Sequence, residues 1–175
     1  MTVLEDGDLK LRSLRPQDAP ILVELANNEK ISINLRDAFP HPYTFKDALN
    51  FIGMCMECKP VNVFAIEWDG KYVGNIGIYP EQDVYRRSGE IGYFLGEPYW
   101  NKGIMTRAVR LAVEYGFGEL DLVRIHTGVF EYNVASQRVL EKCGFVKEGV
   151  SREAVFKQGN LVDEIRYALL RKDVR

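Results

Sequence analysis

The stretch GEIGYFLGEPYWNKGIMTRAV, residues 89–109, reads as a strand that ends in a loop and turns at once into a helix. GEIGYFL (89–95) has the composition of a strand. Ile104, Ala108, Leu111, Ala112 and Tyr115 recur at the spacing of a core-facing helix stripe over 104–117. A helix N-terminus presents N–H groups without intrahelical partners and the positive end of the helix dipole. The layout therefore suits a phosphate, with Asn101, Lys102, Gly103, Ile104, Met105 and Thr106 as the candidate cradle. Both G-x-x-x-x-G-K-[ST] and G-x-G-x-x-G are missing, so the usual triphosphate and dinucleotide readings fail. Gly103 also suits a tight turn needed only for packing, and the residues alone leave both readings open.

Outward from this stretch, DLKLRSL (8–14) alternates like a strand and PQDAPILVELANN (16–28) reads as a helix. Pro40 and Pro42 make 35–44 a loop, and Thr44 with Asp47 marks the start of a helix to about Cys58. VNVFAIEW and KYVGNIGIY are strands joined at Asp69-Gly70, a hairpin signal. LVRIHTGVF (122–130) is a strand, NVASQRVLEKCG (133–144) a helix ended by Gly144, and two strands close the chain around Gln158-Gly159-Asn160. This order predicts an α+β fold: a mixed, mostly antiparallel sheet of about seven strands flanked by about four helices. The strand–helix–strand unit at 89–130 supplies a parallel neighbour pair. No repeat or linker divides residues 1–175, which are expected to form one domain.

The 23 Lys and Arg nearly balance the 25 Asp and Glu, for a net charge of -2. That gives no electrostatic reason to bind nucleic acid or an anionic membrane. MTVLEDGDLK lacks the features of a secretory signal, and no apolar run approaches the roughly 20 residues that span a bilayer. The expectation is a soluble, cytoplasmic protein. Three cysteines argue against a disulfide framework. Cys55 and Cys58 form a CxxC late in a helix, with no second pair or nearby histidine to complete a zinc set, so no metal is expected.

EIGYFLGEPYWNKGIMTRAV resembles the cofactor-binding segment of the GNAT superfamily of N-acetyltransferases. The family pattern Arg/Gln-x-x-Gly-x-Gly/Ala falls here on Trp100, Gly103 and Met105; tryptophan at the first position is familiar in the RimJ/RimL-like subgroup, the ribosomal-protein N-terminal acetyltransferases, whereas Met105 departs from the general form. NVASQRVLEKCGFVKEG (133–149) is similar to the family's Asn-x-x-Ser helix, REAVFKQGNLVDEIRYALL to the closing hairpin of that subgroup, and FPHPYT to its early loop. The likeness covers nearly the whole chain in order. It implies a single N-acetyltransferase domain over 1–175 that uses acetyl-coenzyme A as cosubstrate. The loop amides would bind the pyrophosphate, the main chain of Phe94 and Leu95 the pantetheine arm and acetyl carbonyl, and Asn133 the pantetheine arm again. Ser136 would protonate the departing thiolate.

A thioester is already activated, so an amine can attack it directly in a ternary complex. A primary amine with a pKa of roughly 10 must first lose a proton. Glu90 is the first candidate base: it starts the strand, period two puts it on the face of Gly92 and Phe94, and Gly92 leaves space beside it. The family places a catalytic glutamate at this strand position in some members. A solvated strand-end glutamate is the other reading of Glu90, and a helix N-cap the other reading of Asn133. A glutamate of the RimL-like hairpin falls on Val155; Glu153 lies two residues earlier on the same expected face. By the same likeness the acceptor amine, a protein N-terminus or a small molecule, meets the 31–45 loop and the 152–160 hairpin, with Arg36, Phe39, His41, Tyr43, Arg152, Glu153 and Phe156. His126, mid-strand, and Cys143 read as structural. Two rivals stand beside this reading: a non-catalytic acyl-CoA-binding module, and a thiol-redox protein using Cys55 and Cys58. A homodimer is the default assembly for a small enzyme.

Overall fold

Asp69 and Gly70 take φ of 50° and 73°, the left-handed pair that a two-residue hairpin turn demands, and join β3 (Val63–Trp68) to β4 (Lys71–Pro80). Gln158 and Gly159, at 48° and 80°, do the same for β7 (Val146–Lys157) and β8 (Asn160–Leu170). The computed structural model describes residues 3–174. The remaining elements are β1 (Val3–Asp6), β2 (Leu9–Arg12), α1 (Ala19–Ala26), α2 (Glu29–Ser32), α3 (Phe45–Glu57), β5 (Ser88–Leu95), α4 (Ile104–Gly118), β6 (Arg124–Phe130) and α5 (Val134–Lys142). The strands form one sheet in the order β1-β2-β3-β4-β5-β6-β8-β7. β5 and β6 pair in parallel, while β1–β2, β2–β3, β3–β4, β6–β8 and β7–β8 are antiparallel.

The expected fold class is the observed one, with a strand and a short helix added. The extra strand is β1, paired from Val3 opposite Arg12 to Asp6 opposite Leu9. The helix expected over 16–28 divides. Pro16–Asp18 is a 3-10 turn, α1 stops at Ala26, and Asn28 then caps α2 by accepting the Lys30 N–H at 2.9 Å. Asn27 is drawn off the helix by Tyr43: its Oδ1 accepts the Tyr43 N–H at 2.8 Å and its Nδ2 donates to the Tyr43 carbonyl at 2.7 Å. Thr44 caps α3 as expected, in a reciprocal box with Asp47.

The backbone clusters into two compact units. One takes the chain up to Gly77 together with Tyr93–Ala112; the other takes Ile78–Gly92 and the chain from Val113. In the first, α1 and α3 pack on an apolar core that includes Leu22, Ile52, Val63, Ala65 and Phe94. The buried Arg12 guanidinium donates to both Asp18 oxygens, at 2.9 and 2.8 Å, and to Glu67 at 2.5 Å, which raises its pKa further. In the second, Leu122, Ile125, Leu140, Phe145 and Leu169 are buried, and the Tyr167 hydroxyl donates to Glu141 at 2.9 Å. Among the described residues no helix is long and apolar enough to cross a membrane.

Within the first unit β4 and the end of β5 approach so closely at Gly74 that a Cβ there would lie 2.2 Å from the Phe94 carbonyl oxygen and 3.1 Å from the Leu95 Cα. Gly74→Ala is therefore expected to cost about 1–3 kcal/mol of stability. The measurement is the urea midpoint at unchanged slope; an unmoved midpoint would mean that the strand end yields freely.

Candidate active site

The loop after β5 is held at both ends within the first unit. A 3-10 turn, Glu97–Tyr99, leads to Trp100, whose indole Nε1 donates to the Leu95 carbonyl at 2.7 Å and folds the loop back on its strand. Glu97 accepts from Lys30 Nζ at 2.6 Å and from Asn28 Nδ2 at 2.5 Å, which hold its carboxyl below the usual range. Tyr99 meets Trp68 edge-on, ring centres 6.2 Å apart, and the Lys102 ammonium lies 5.4 Å from the Trp68 ring centre. At the other end Arg107, in the first turn of α4, donates to Asp6 at 2.8 Å and pairs with Asp8 at 2.8 Å.

Between these anchors Asn101 and Gly103 take φ of 59° and 75°. That left-handed backbone costs most L-residues about 1–2 kcal/mol; glycine, and at times asparagine, adopt it routinely. Backbone that changes hand at a helix N-terminus aims successive N–H groups at an anion. Asn101, Lys102 and Gly103 are exposed, Thr106 is half-buried, and nothing stands within 4 Å of the point where a Gly103 Cβ would be. Ile104 and Met105 are buried. The unusual Met105 side chain thus goes into the core and leaves the outer surface of the loop to the main chain. A pyrophosphate fits these features. The side chains of Phe94 and Leu95 are buried too, Phe94 edge-on to Phe39 with ring centres 5.3 Å apart.

In the second unit the parallel ladder pairs Ser88–Glu90 with Arg124–His126, and both strands run on beyond it. Glu90 is half-buried at the last pair, in register with His126. A Cβ on Gly92 would meet only the Tyr79 ring, at 3.8 Å. His126 is 8% exposed; its Nε2 lies 3.3 Å from Glu81 Oε1, while its Nδ1 is buried with no hydrogen-bond partner among the described residues. Arg124 donates to both oxygens of Glu148, at 2.7 and 2.6 Å, and holds that carboxyl below the usual range. Asn133 caps α5 by accepting the Ser136 N–H at 3.3 Å, and Ser136 is half-buried in the first turn.

Some expected residues sit elsewhere than sequence alone suggests. Tyr43 is core rather than acceptor surface: it is buried against Phe39, and burial pushes its hydroxyl up to about 12. Arg36, His41 and Phe156 are exposed. Glu153 and Val155 do not share a simple strand face, because the β7–β8 register slips between Ser151 and Val155 and Glu153 turns to φ 52°. The Cys55 thiol is pushed up to about 12, mainly by burial, the reverse of what a redox thiol needs. Among the described residues no cluster of three or more His, Cys, Asp or Glu could hold a metal ion. Sequence reasoning missed the Trp100 and Arg107 anchors and the Glu81–His126 pair. Only the register of strands far apart in the chain reveals the last.

The family described as "Acetyltransferase (GNAT) domain" matches residues 8–146. Among relatives, "Probable N-acetyltransferase YjcK" of Bacillus subtilis is 43% identical over 60% of this chain and 58% of its own length. The "SPbeta prophage-derived uncharacterized N-acetyltransferase YokL" of the same organism is 30% identical over 95% of this chain and 92% of its own. A solved spermidine N-acetyltransferase from Vibrio cholerae, in complex with CoA and spermine, superposes with a TM-score of 0.81 at 25% identity, over 96% of this chain and 98% of that one.

The depressed Glu148 carboxyl makes a pH prediction. A folded pKa below the unfolded value of about 4.3 contributes stability that is present above that value and lost as pH falls through the folded one. Wild type should therefore exceed Glu148→Gln in melting temperature near neutrality, and the gap should close on acidification. A gap independent of pH would remove the Arg124 pairing as its cause.

Proposed function

The chain belongs to the GNAT family of acetyltransferases, and from that membership we propose that it moves the acetyl group of acetyl-coenzyme A directly to a primary amine in a ternary complex. It is an acyltransferase enzyme, and acetyl-coenzyme A is the proposed cosubstrate, which family membership and the CoA-bound Vibrio cholerae neighbour support. The observation that carries the site reading is the doubly anchored loop from Asn101 to Thr106, with its left-handed Asn101 and Gly103 at the head of α4. Its amides would hold the pyrophosphate. The main chain of Phe94 and Leu95 would take the pantetheine arm and acetyl carbonyl; the Leu95 carbonyl already accepts from Trp100, so its remaining lone pair is what it has to offer. Asn133 spends its oxygen on the helix cap and keeps its NH2 for the pantetheine arm.

Glu90 is the proposed base and Ser136 the proposed acid. Glu90 takes a proton from the ammonium, the free amine attacks the thioester carbonyl carbon, and the C–S bond breaks. Ser136 supplies a proton to the thiolate and recovers one from the acylated nitrogen. Each turnover thus converts an ammonium and a thioester into an amide, a thiol and one released proton. We propose the RimJ/RimL-like subgroup on Trp100, the FPHPYT loop and the closing hairpin, with a protein N-terminus or a small-molecule amine as acceptor. Residues 1–175 would act as one domain, since the chain passes from one compact unit to the other inside β4, β5 and α4 rather than through a linker. No observation favours the non-catalytic module.

Acetyl-coenzyme A at 100 times its dissociation constant should stabilise the protein by about 2.7 kcal/mol, seen as a melting shift that ATP and NAD do not give. Glu90→Gln should keep that shift and lower amine-dependent thiol release by about 10²–10⁴-fold. Full activity in this variant would return Glu90 to the role of a solvated strand-end residue.

A further inference from the structure

The second unit contains a buried base that the proposed mechanism does not use. His126 projects from β6 beside Glu90, its in-register neighbour on the parallel strand, and in-register residues of paired strands share a face of the sheet. The imidazole reaches Glu81, which follows β4, so it spans the intervening β5. A neutral histidine has one N–H donor and one lone pair. The carboxylate at Nε2 makes that nitrogen the donor and leaves the lone pair on Nδ1, the buried atom without a partner. Burying a polar atom without a hydrogen bond is costly, so such an atom in a folded protein calls for an explanation. The other charges near the ring offset each other: Arg124 is bound to Glu148 by two hydrogen bonds, and Arg166 to Glu164 at 2.6 Å.

We propose that His126 and Glu81 form a proton store for Glu90, as positioning residues that act through it; the inference rests on Glu90 being the base. The acceptor ammonium loses a proton as its N–H bond breaks and a Glu90 O–H bond forms. That O–H bond then breaks as an Nδ1–H bond forms on His126, and Glu81 balances the imidazolium across Nε2. Glu90 is a carboxylate again while the acceptor still separates it from solvent. When the amide and thiol have left, the Nδ1–H bond breaks and the proton returns through Glu90 to water. This is the one proton released per turnover, and the ring ends in its starting tautomer.

The test is nitrogen-15 NMR of the imidazole, with His126→Asn to assign its signals against those of His41, the other histidine of the chain. The neutral ring should be the Nε2–H tautomer, and Glu90→Gln should move the Nδ1 resonance. An Nδ1–H tautomer, or an Nδ1 signal indifferent to Glu90→Gln, overturns the proposal. Kinetics add a second arm, with spermidine and a peptide bearing a free N-terminal alanine as probes. His126→Asn should lower kcat by about tenfold, part of the roughly 10²–10⁴ that a placed base supplies. It should leave the acetyl-coenzyme A melting shift intact, and added imidazole should restore turnover in His126→Ala. Unchanged kcat in a folded His126→Asn overturns the store and leaves acetyl transfer standing. Failure of wild type to bind acetyl-coenzyme A instead removes the acetyl-transfer reading, while the NMR still decides the Glu90–His126 coupling.

Discussion

The close approach at Gly74 is the constraint on which the candidate cofactor loop depends. A strand pair ordinarily leaves room for side chains on both faces, yet here the Phe94 carbonyl occupies the space that any Cβ would need. The end of β5 is pressed onto β4, with the Gly96 N–H donating to the Val73 carbonyl at 2.9 Å as a further tie. From that fixed point the chain has one short turn before α4, and Trp100 closes it against Leu95. The left-handed residues at 101 and 103 then form between two secured ends. An anion site made of amides needs that rigidity, because an amide that wanders offers no preorganised field.

The second unit carries a row of polar pairs around Glu90 and His126. Arg124 of β6 pairs with Glu148 of β7, Arg166 with Glu164 on the same strand β8, and the His126 imidazole with Glu81; the two arginine pairs are too exposed to add much stability. Their worth lies in orientation. A bidentate arginine fixes a carboxylate in plane, and a carboxylate on one imidazole nitrogen decides which tautomer the ring takes. Glu90 sits at the last rung of the parallel ladder beside this row.

Much of this was legible in the sequence because it depends on local periodicity and on residues with a single conformational use. The stripe from Ile104 to Tyr115, the Asp69-Gly70 turn, the Thr44 box and the Asn133 cap all report interactions within a few residues of chain. The loop at 101–106 was visible for the same reason: strand, glycine and helix follow one another directly. The failures are equally physical. The helix ends at Asn27, whose side-chain amide bonds both the N–H and the carbonyl of Tyr43, sixteen positions on. Glu153 falls out of step because of a register slip that period-two counting cannot see.

By itself, then, the sequence determined most of the order of elements and the mixed α+β class, since backbone propensity and hydrophobic period act over short separations. Only the tertiary structure decided which side chains meet. Arg107 is 101 positions from Asp6, and His126 meets Glu81 from across β5 while standing in register with Glu90. The Glu81–His126 pair arises from the pairing order β4-β5-β6, and burial leaves the other ring nitrogen of His126 orphaned. No local pattern encodes either of these, because both are properties of what the chain folds against.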